Sequence, residues 1–302
     1  MIWSFSAYIT FKRCPRSWFY GKILATRSRS DPESQEAKRL SNLLNLLSWR
    51  GKIVDTTLSE YVVPAITSRE NLAVSKALEF AERLYSPTVK TTLERQARKS
   101  NGSSVVFFEE EYGSSITQEK FDGAWHDIQR SLDMFFHDPE ILAYLSKATR
   151  AIPQRPLAFS SWNVNARAVP DLILFYGDEP PMIIDWKVQS KPKHDSWLQL
   201  AIYAIALTRA KKHRDWPTDV SRFAATDIRV IESQLLSGET REHQITTQDL
   251  NSVDDLIVTS GDEMNLSLGV IDKKGLTAHY FPAASNPNAC MYCNFKKICW
   301  VV

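Results

Sequence analysis

The stretch that most constrains the fold is residues 168–203, in which a turn separates two apolar segments. Residues 172–176 have the length and the β-branched or aromatic content of a buried strand, and Gly177 and Pro180-Pro181 then break it. Residues 182–188 predict a second strand. Residues 195–210 predict a helix that is apolar on nearly every face and is therefore buried.

Charged residues lie at the ends of these predicted strands. Asp185 and Lys187 are two residues apart on one strand, so their side chains point to the same face, and a hairpin-like connection can bring Asp171 beside them. Two carboxylates and one ammonium on a single surface predict a divalent-metal site with a cation next to it. Such a metal lowers the pKa of a bound water and stabilises charge on a phosphate.

Two motifs in this stretch resemble those of a known family. Asp171 after a proline, thirteen residues, and then Asp185-Trp186-Lys187 resemble the motif of PD-(D/E)XK nucleases. Gln199 and Tyr203 are similar to the Q-x-x-x-Y helix motif of the RecB-type branch of that superfamily.

The resemblance implies a role for each motif residue. Asp171, Asp185 and the carbonyl of Trp186 would hold Mg²⁺ or Mn²⁺. Lys187 would face the attacking water and the scissile phosphate. On the following helix, Gln199 would orient the lysine or touch the phosphate, and Tyr203 would support the site from the same face, with core packing as the alternative role of Tyr203.

A further candidate ligand lies earlier in the chain. RecB-type nucleases commonly carry G-x-x-x-H in a helix before the sheet, and the histidine is a metal ligand. Here Gly51 is followed by Asp55 at that position. Aspartate can hold Mg²⁺ or Mn²⁺ directly or through water, although Asp55 also fits a plain surface position. Two functions therefore stay open, an active nuclease and a nuclease-fold DNA-binding subunit of a larger complex with weak or lost chemistry.

The four cysteines are unevenly distributed. Cys14 is near the N-terminus, and Cys290, Cys293 and Cys299 form C-x2-C-x5-C at the other end. Four thiolates suit Zn²⁺ or a [4Fe–4S] cluster, and spacing alone does not separate the two. The order of one cysteine before the core and three after it resembles the iron–sulfur subgroup of RecB-type nucleases, which includes CRISPR spacer-acquisition nucleases. The resemblance implies a [4Fe–4S] clasp that joins the chain ends.

Composition excludes some classes of protein. Apolar residues make up 43% and charged residues 24% of the 302 residues, as in soluble globular proteins, and the net charge of +2 means that any DNA-binding surface comes from local clustering. No apolar run has the length of a membrane span and no signal-peptide layout is present, so we expect a cytoplasmic protein. Without a G-x4-G-K-[ST] loop, any unwinding of DNA requires a separate helicase.

Taken along its length, the chain predicts a single α/β domain over residues 1–302 with a mixed sheet flanked by helices, and the resemblance implies that this sheet is restriction-endonuclease-like. Residues 31–150 would form a helical subregion, residues 155–270 the catalytic core and residues 286–302 the cysteine-cluster tail. The predicted helices are 7–12, 37–66, 69–98 with a break at Pro87, 115–136, 138–147, 195–210 and 247–268. The predicted strands are 157–163, 166–176 and 182–188, followed by a hairpin of 227–235 and 242–246.

The function that the resemblance implies is metal-dependent hydrolysis of DNA phosphodiesters, as an exonuclease on single-stranded ends. The resemblance places such an activity in DNA repair and recombination, CRISPR adaptation or phage defence. A third hypothesis is a zinc-clasped structural protein in which the Asp185-Trp186-Lys187 motif is fortuitous.

Overall fold

The structure is a computed structural model that describes residues 1–70, 72–98, 107–188, 193–217, 219–269 and 275–300, with only the backbone for 193–195. Within these ranges no helix is both long and apolar enough to cross a membrane.

The first half of the chain is helical. Its α-helices are α1 (Phe5–Arg13), α2 (Pro15–Trp18), α3 (Pro32–Ser41), α4 (Leu46–Thr57), α5 (Val63–Thr67), α6 (Val74–Ala97), α7 (Phe108–Glu111), α8 (Gln118–His137) and α9 (Pro139–Lys147). Two π-helical segments, Phe19–Ile23 and Leu58–Val62, and the 3-10 segment Leu24–Thr26 extend α2 and α4. The side chains of Ser4, Asp31 and Asp138 begin α1, α3 and α9 by accepting backbone N–H groups.

The single helix predicted over 37–66 is wrong, because α3 and α4 are separate. Asn45 has extended backbone and its side chain accepts the Ser48 N–H at 2.7 Å, so it starts a new helix. Pro87, in contrast, lies inside α6 without ending it, since the helix is anchored on both sides by buried residues, Ala81 and Val89 among them. At α8, Thr117 supplies the N-cap, two residues after the predicted start.

The second half contains two sheets. The strands are β1 (Arg150–Pro153), β2 (Leu157–Ser161), β3 (Val164–Ala168), β4 (Leu172–Tyr176), β5 (Glu179–Lys187), β6 (Arg229–Gln234) and β7 (Glu239–His243). Five of them form a mixed sheet in the order β1-β4-β5-β6-β7, in which only β5 and β6 pair in parallel. The strand predicted over 157–163 is present as β2, but it is not part of the main sheet, and the single strand predicted over 166–176 is wrong, because β3 and β4 are separate. β2 pairs with β3 in a separate hairpin, and the strand beside β4 is the four-residue β1, too short to give a sequence pattern.

Four α-helices accompany and follow the strands. They are α10 (Lys193–Arg209), α11 (Thr247–Leu266), α12 (Asn288–Met291) and α13 (Lys296–Cys299), with 3-10 segments at Val220–Arg222, Ala225–Asp227 and Ala278–Tyr280. Because β5 and β6 are parallel, the chain must cross over between them, and α10 lies in that crossover. Thr246 and Asp249 form the capping box that starts α11.

The five-stranded sheet is covered on both faces. Successive side chains of β4 alternate between two hydrophobic clusters: Ile173 and Phe175 pack with α10, while Leu172 and Leu174 pack with α4 and α8. A mixed sheet between two helical layers is the restriction-endonuclease-like α/β arrangement, so the predicted fold class is confirmed.

Candidate active site

The ends of β4 and β5 bring three charged side chains together. Asp171 immediately precedes β4, and the antiparallel register pairs Leu172 with Ile184, so Asp171 lies beside Asp185. The backbone N–H of Trp186 donates to Asp171 Oδ2 at 3.0 Å. Lys187 Nζ lies 2.6 Å from Asp185 Oδ2 on the same face of β5.

Asp55 of α4 joins this group through two donors. Gln154, the residue after β1, donates its side-chain Nε2–H groups to Asp55 Oδ1 at 2.7 Å and to Asp171 Oδ1 at 3.1 Å. The indole Nε1–H of Trp186 donates to Asp55 Oδ1 at 2.9 Å. Residues from one helix and from the ends of three strands therefore form one connected polar network.

Asp185 is the least satisfied member of the site. Its side chain is 1% exposed, and among the described residues its two carboxylate oxygens accept no well-directed hydrogen bond. The close contact with Lys187 is thus an ion pair with poor hydrogen-bond direction. A buried carboxylate needs cationic or donor partners, so the Asp185 oxygens suit a bound cation.

Burial and mutual repulsion disfavour the charged carboxylates. Burial, and next the charge of Asp185, raise the pKa of Asp171 well above its ordinary value, against the opposing charge of Lys187. Burial also raises the pKa of Asp55, against the hydrogen bonds from Trp186 and Gln154. A divalent cation at these oxygens would relieve the repulsion.

Lys187 stays protonated in this environment. Burial alone lowers the pKa of the Lys187 ammonium, but the negative charges of Asp185 and Asp171 outweigh it and raise the pKa above its ordinary value. The Lys187 side chain is therefore available as a cationic donor at neutral pH and is not in the uncharged form that a general base requires.

Gln199 and Tyr203 contact each other on α10. Gln199 Nε2 donates to the Tyr203 hydroxyl at 2.6 Å, one helical turn away. Burial, followed by the charges of Asp185 and Asp171, raises the pKa of Tyr203 well above its ordinary value, which leaves its O–H as a donor. The structure thus links Tyr203 electrostatically to the carboxylates and links Gln199 to Tyr203.

The face of the sheet that carries Asp185 and Lys187 has further polar side chains on β6 and β7. The parallel register pairs Asp185 with Glu232 and Lys187 with Gln234. Glu232 is completely buried, accepts from the Gln234 amide, and lies 2.9 Å from His243 Nε2 of β7. Sequence reasoning missed these three residues and Gln154. Glu232 and Gln234, at alternate positions of a predicted strand, are a detectable signal, whereas Gln154 lies in a loop without one.

An open cleft of about 410 Å³ gives access to the site. Gly51, Lys52 and Asp55 of α4 line one side, and Asp171 and Lys187 line the other. The cleft places the carboxylates and the ammonium where an extended ligand can reach them from solvent.

Three of the four cysteines lie around the start of α2. Cys14 caps that helix, and its sulfur accepts the Ser17 N–H at 3.4 Å, while Cys293 Sγ lies 3.7 Å from Ser17 Oγ. The Cys299 thiol interacts electrostatically with Cys293 and Cys14, and burial raises its pKa. Cys290 lies in α12, one turn before Cys293, and all four cysteines are free thiols.

Neither the aspartates of the site nor the four cysteines have the geometry of a completed metal site. In the part of the chain that the structure describes, no three or more His, Cys, Asp or Glu side chains are arranged so that they could hold a metal ion. The aspartates are instead arranged by Gln154 and Trp186. Their chemistry, carboxylate oxygens with the Asp185 pair left unsatisfied, still fits a hard divalent cation.

Comparison with known proteins agrees with the geometry. The model of the family described as the PD-(D/E)XK nuclease superfamily matches residues 2–300. No curated protein matches the chain. The match covers nearly the whole chain and includes the paired strands that carry Asp171, Asp185 and Lys187, so the protein belongs to the PD-(D/E)XK nuclease superfamily.

Proposed function

We propose that this protein is a metal-dependent DNA nuclease that hydrolyses phosphodiester bonds in the cleft between α4 and the end of β5. The observation that carries the proposal is the group formed by Asp171, Asp185 and Lys187, in which Asp171 and Lys187 line the cleft and Asp185 is buried beside them. Membership of a nuclease superfamily supports the same chemistry.

Asp171 and Asp185 would hold Mg²⁺ or Mn²⁺, with Asp55 and the Trp186 carbonyl as further ligands. Their oxygen donors suit these hard cations. When bound, the metal would acidify a water and stabilise negative charge on the phosphate.

Lys187 and Tyr203 supply proton donors on the phosphate side of the site. The charged Lys187 ammonium offsets negative charge that develops on the scissile phosphate and orients the attacking water. The neutral Tyr203 hydroxyl, held by Gln199, supports Lys187 and the carboxylates from α10.

The substrate class and biological role extend this proposal. The likeness of Gln199 and Tyr203 to the RecB-type motif favours exonucleolytic digestion of single-stranded DNA ends, in repair, CRISPR adaptation or phage defence. A separate helicase would supply unwinding where duplex DNA is the substrate.

We also propose that Cys14, Cys290, Cys293 and Cys299 hold a [4Fe–4S] cluster. Four free thiols, three of them around the start of α2, support it. Four thiolate donors are the usual ligand set of such a cluster.

Cleavage of end-labelled single-stranded and double-stranded DNA in Mg²⁺, Mn²⁺ or EDTA tests the nuclease proposal. We expect metal-dependent cleavage that Lys187→Ala reduces by about 100-fold or more, because a buried charge donor is lost from the reacting phosphate. Lys76→Ala, which removes an exposed lysine paired with Glu79 on α6, is the matched control. Cleavage by Lys187→Ala at the parent rate would refute the assignment.

A nuclease-fold subunit that binds DNA without cutting it is the second candidate. Asp55 at the position of the family histidine favours it, as does the lack of a completed metal-ligand group among the residues the structure describes. DNA binding that is equal in EDTA and in Mn²⁺, together with intact substrate in every reaction, would support this candidate against the first.

A further inference from the structure

Gln154 makes three hydrogen bonds to the candidate site. Its side-chain amide bridges Asp55 Oδ1 at 2.7 Å and Asp171 Oδ1 at 3.1 Å, and its backbone N–H donates to the Asp171 carbonyl at 3.0 Å. Because ionised carboxylates only accept hydrogen bonds, the amide nitrogen is the group that faces them. One side chain thus ties a residue of α4 to the residue that precedes β4.

The backbone of Gln154 is held in an unfavourable conformation. Its φ of 50° lies in the left-handed region, which residues with a β-carbon rarely adopt. Pro153 before it is fixed by pairing with Leu172, so the chain must turn abruptly at Gln154. Glycine would avoid the strain, and a strained residue with a polar side chain aimed at a site indicates a use for that side chain.

Gln154 and Trp186 together determine which carboxylate oxygens of Asp55 and Asp171 accept hydrogen bonds. They donate to Asp55 Oδ1 and to both oxygens of Asp171. Within the described residues, Asp55 Oδ2 receives no recorded donor and the Asp185 oxygens receive none of good geometry. The hydrogen bonds therefore fix the direction in which the remaining oxygens point.

We propose that Gln154 is a positioning residue that clamps Asp55 to Asp171 and thereby sets the affinity of the site for a divalent cation. The proposal rests on the metal-dependent function proposed above. Loss of such a hydrogen-bond partner behind metal-binding carboxylates weakens metal binding by about 10- to 100-fold.

Two substitutions separate clamping from a backbone role. Gln154→Met keeps the length of the side chain and removes its donors. Gln154→Gly also removes the donors but relieves the left-handed strain. Trp162→Gly is the matched control, because Trp162 has the same φ of 50° in the β2–β3 turn and is 86% exposed.

Mn²⁺ affinity, followed by the electron paramagnetic resonance signal of free Mn²⁺, and the Tm in EDTA are the two measurements. We expect Gln154→Met and Gln154→Gly to raise the Kd for Mn²⁺ by about 10- to 100-fold with cooperative unfolding retained, and Trp162→Gly to keep the parent Kd.

Three results would overturn the clamp: parent affinity in Gln154→Met, loss of affinity only together with loss of the folded state in both Gln154 variants, or no Mn²⁺ binding by the parent. Parent binding of Mn²⁺ that is weakened by both Gln154 variants, in a protein that cuts no DNA, would instead support the clamp and refute the nuclease proposal.

Discussion

At the scale of single residues, the carboxylates of the site lie in an electrostatically unfavourable environment. Asp55 and Asp171 are half-buried close to Asp185, and the pKa values of Asp55 and Asp171 are raised as a consequence. The only ammonium among the residues named in this network is that of Lys187, which pairs with Asp185. Carboxylates in such an environment reduce the stability of the metal-free fold, and the proposed cation would offset this cost.

Replacing Asp55 with asparagine is expected to stabilise the metal-free protein. A raised folded pKa means that the contribution of Asp55 to stability is fully present below the pKa of an unfolded aspartate, about 3.9, and is lost as pH rises through the folded value. Asparagine does not ionise and so does not lose this stability as pH rises. Its side-chain oxygen can still accept hydrogen bonds from Gln154 and Trp186. The gain in free energy of unfolding should therefore grow with pH, by about 1.4 kcal/mol for each unit by which folding raises the pKa.

Urea denaturation in EDTA between pH 4 and pH 8 measures this gain. Asp255→Asn, at an exposed aspartate of α11, controls for the removal of one negative charge. A stability difference between Asp55→Asn and the parent that shrinks as pH rises would contradict the prediction.

At the scale of elements, the β6–β7 hairpin extends the polar face of the sheet away from the cleft. On one face, Glu232 is buried against His243 and Gln234; on the other, Arg229 and Glu242 form an exposed ion pair. β6 is buried at every position after Arg229, whereas β7 is exposed or half-buried until His243, its last residue. Because β6 is parallel to β5, its register sets which polar residues lie beside Asp185 and Lys187.

Truncation of His243 should lower the free energy of unfolding far more than truncation of the neighbouring Glu242. His243→Ala leaves the buried Glu232 carboxylate without its contact to His243 Nε2, and we expect a loss of about 3 kcal/mol in the free energy of unfolding. Glu242→Ala breaks only the exposed pair and should cost less than about 1 kcal/mol. Chemical denaturation of the two variants measures these losses. Equal losses in the free energy of unfolding would contradict the prediction that the buried contact contributes more than the exposed ion pair.

At the scale of the whole molecule, the two ends of the chain pack on each other. The Arg16 N–H donates to Pro282 O at 3.2 Å, and Arg27 Nη2 donates to Leu276 O at 2.6 Å. The Tyr112 hydroxyl donates to Asn294 O at 2.6 Å, which ties the helical half to the tail as well. These contacts bring Cys14 close to the cysteine tail, where the proposed cluster would bind.

Loss of the proposed cluster should loosen this junction. Protein purified without oxygen should be coloured and contain iron and sulfide, and Cys14→Ser should lose both the colour and thermal stability, because metal bonds across a long loop constrain the unfolded chain. Metal analysis and calorimetry provide the measurements. Zinc in place of iron, or a Cys14→Ser protein with the iron content of the parent, would contradict the cluster.

Much of the site could be anticipated because its signals are local. A two-residue spacing on an apolar strand places Asp185 and Lys187 on one face, and a short turn brings Asp171 alongside. Gln154 and the break between α3 and α4 could not be found in this way. Their conformations depend on single side chains, Gln154 and Asn45, whose hydrogen bonds outweigh weak local preferences.

By itself the sequence determined the fold class, the strand pair with Asp171, Asp185 and Lys187, and the buried helix α10, because hydrophobic periodicity and turn residues act over a few positions. Only the tertiary structure decided that Gln154 and Trp186 hold Asp55 against Asp171, and that Glu232 and His243 continue the polar face. These contacts join residues far apart in the chain, and their register follows from the packing of whole elements.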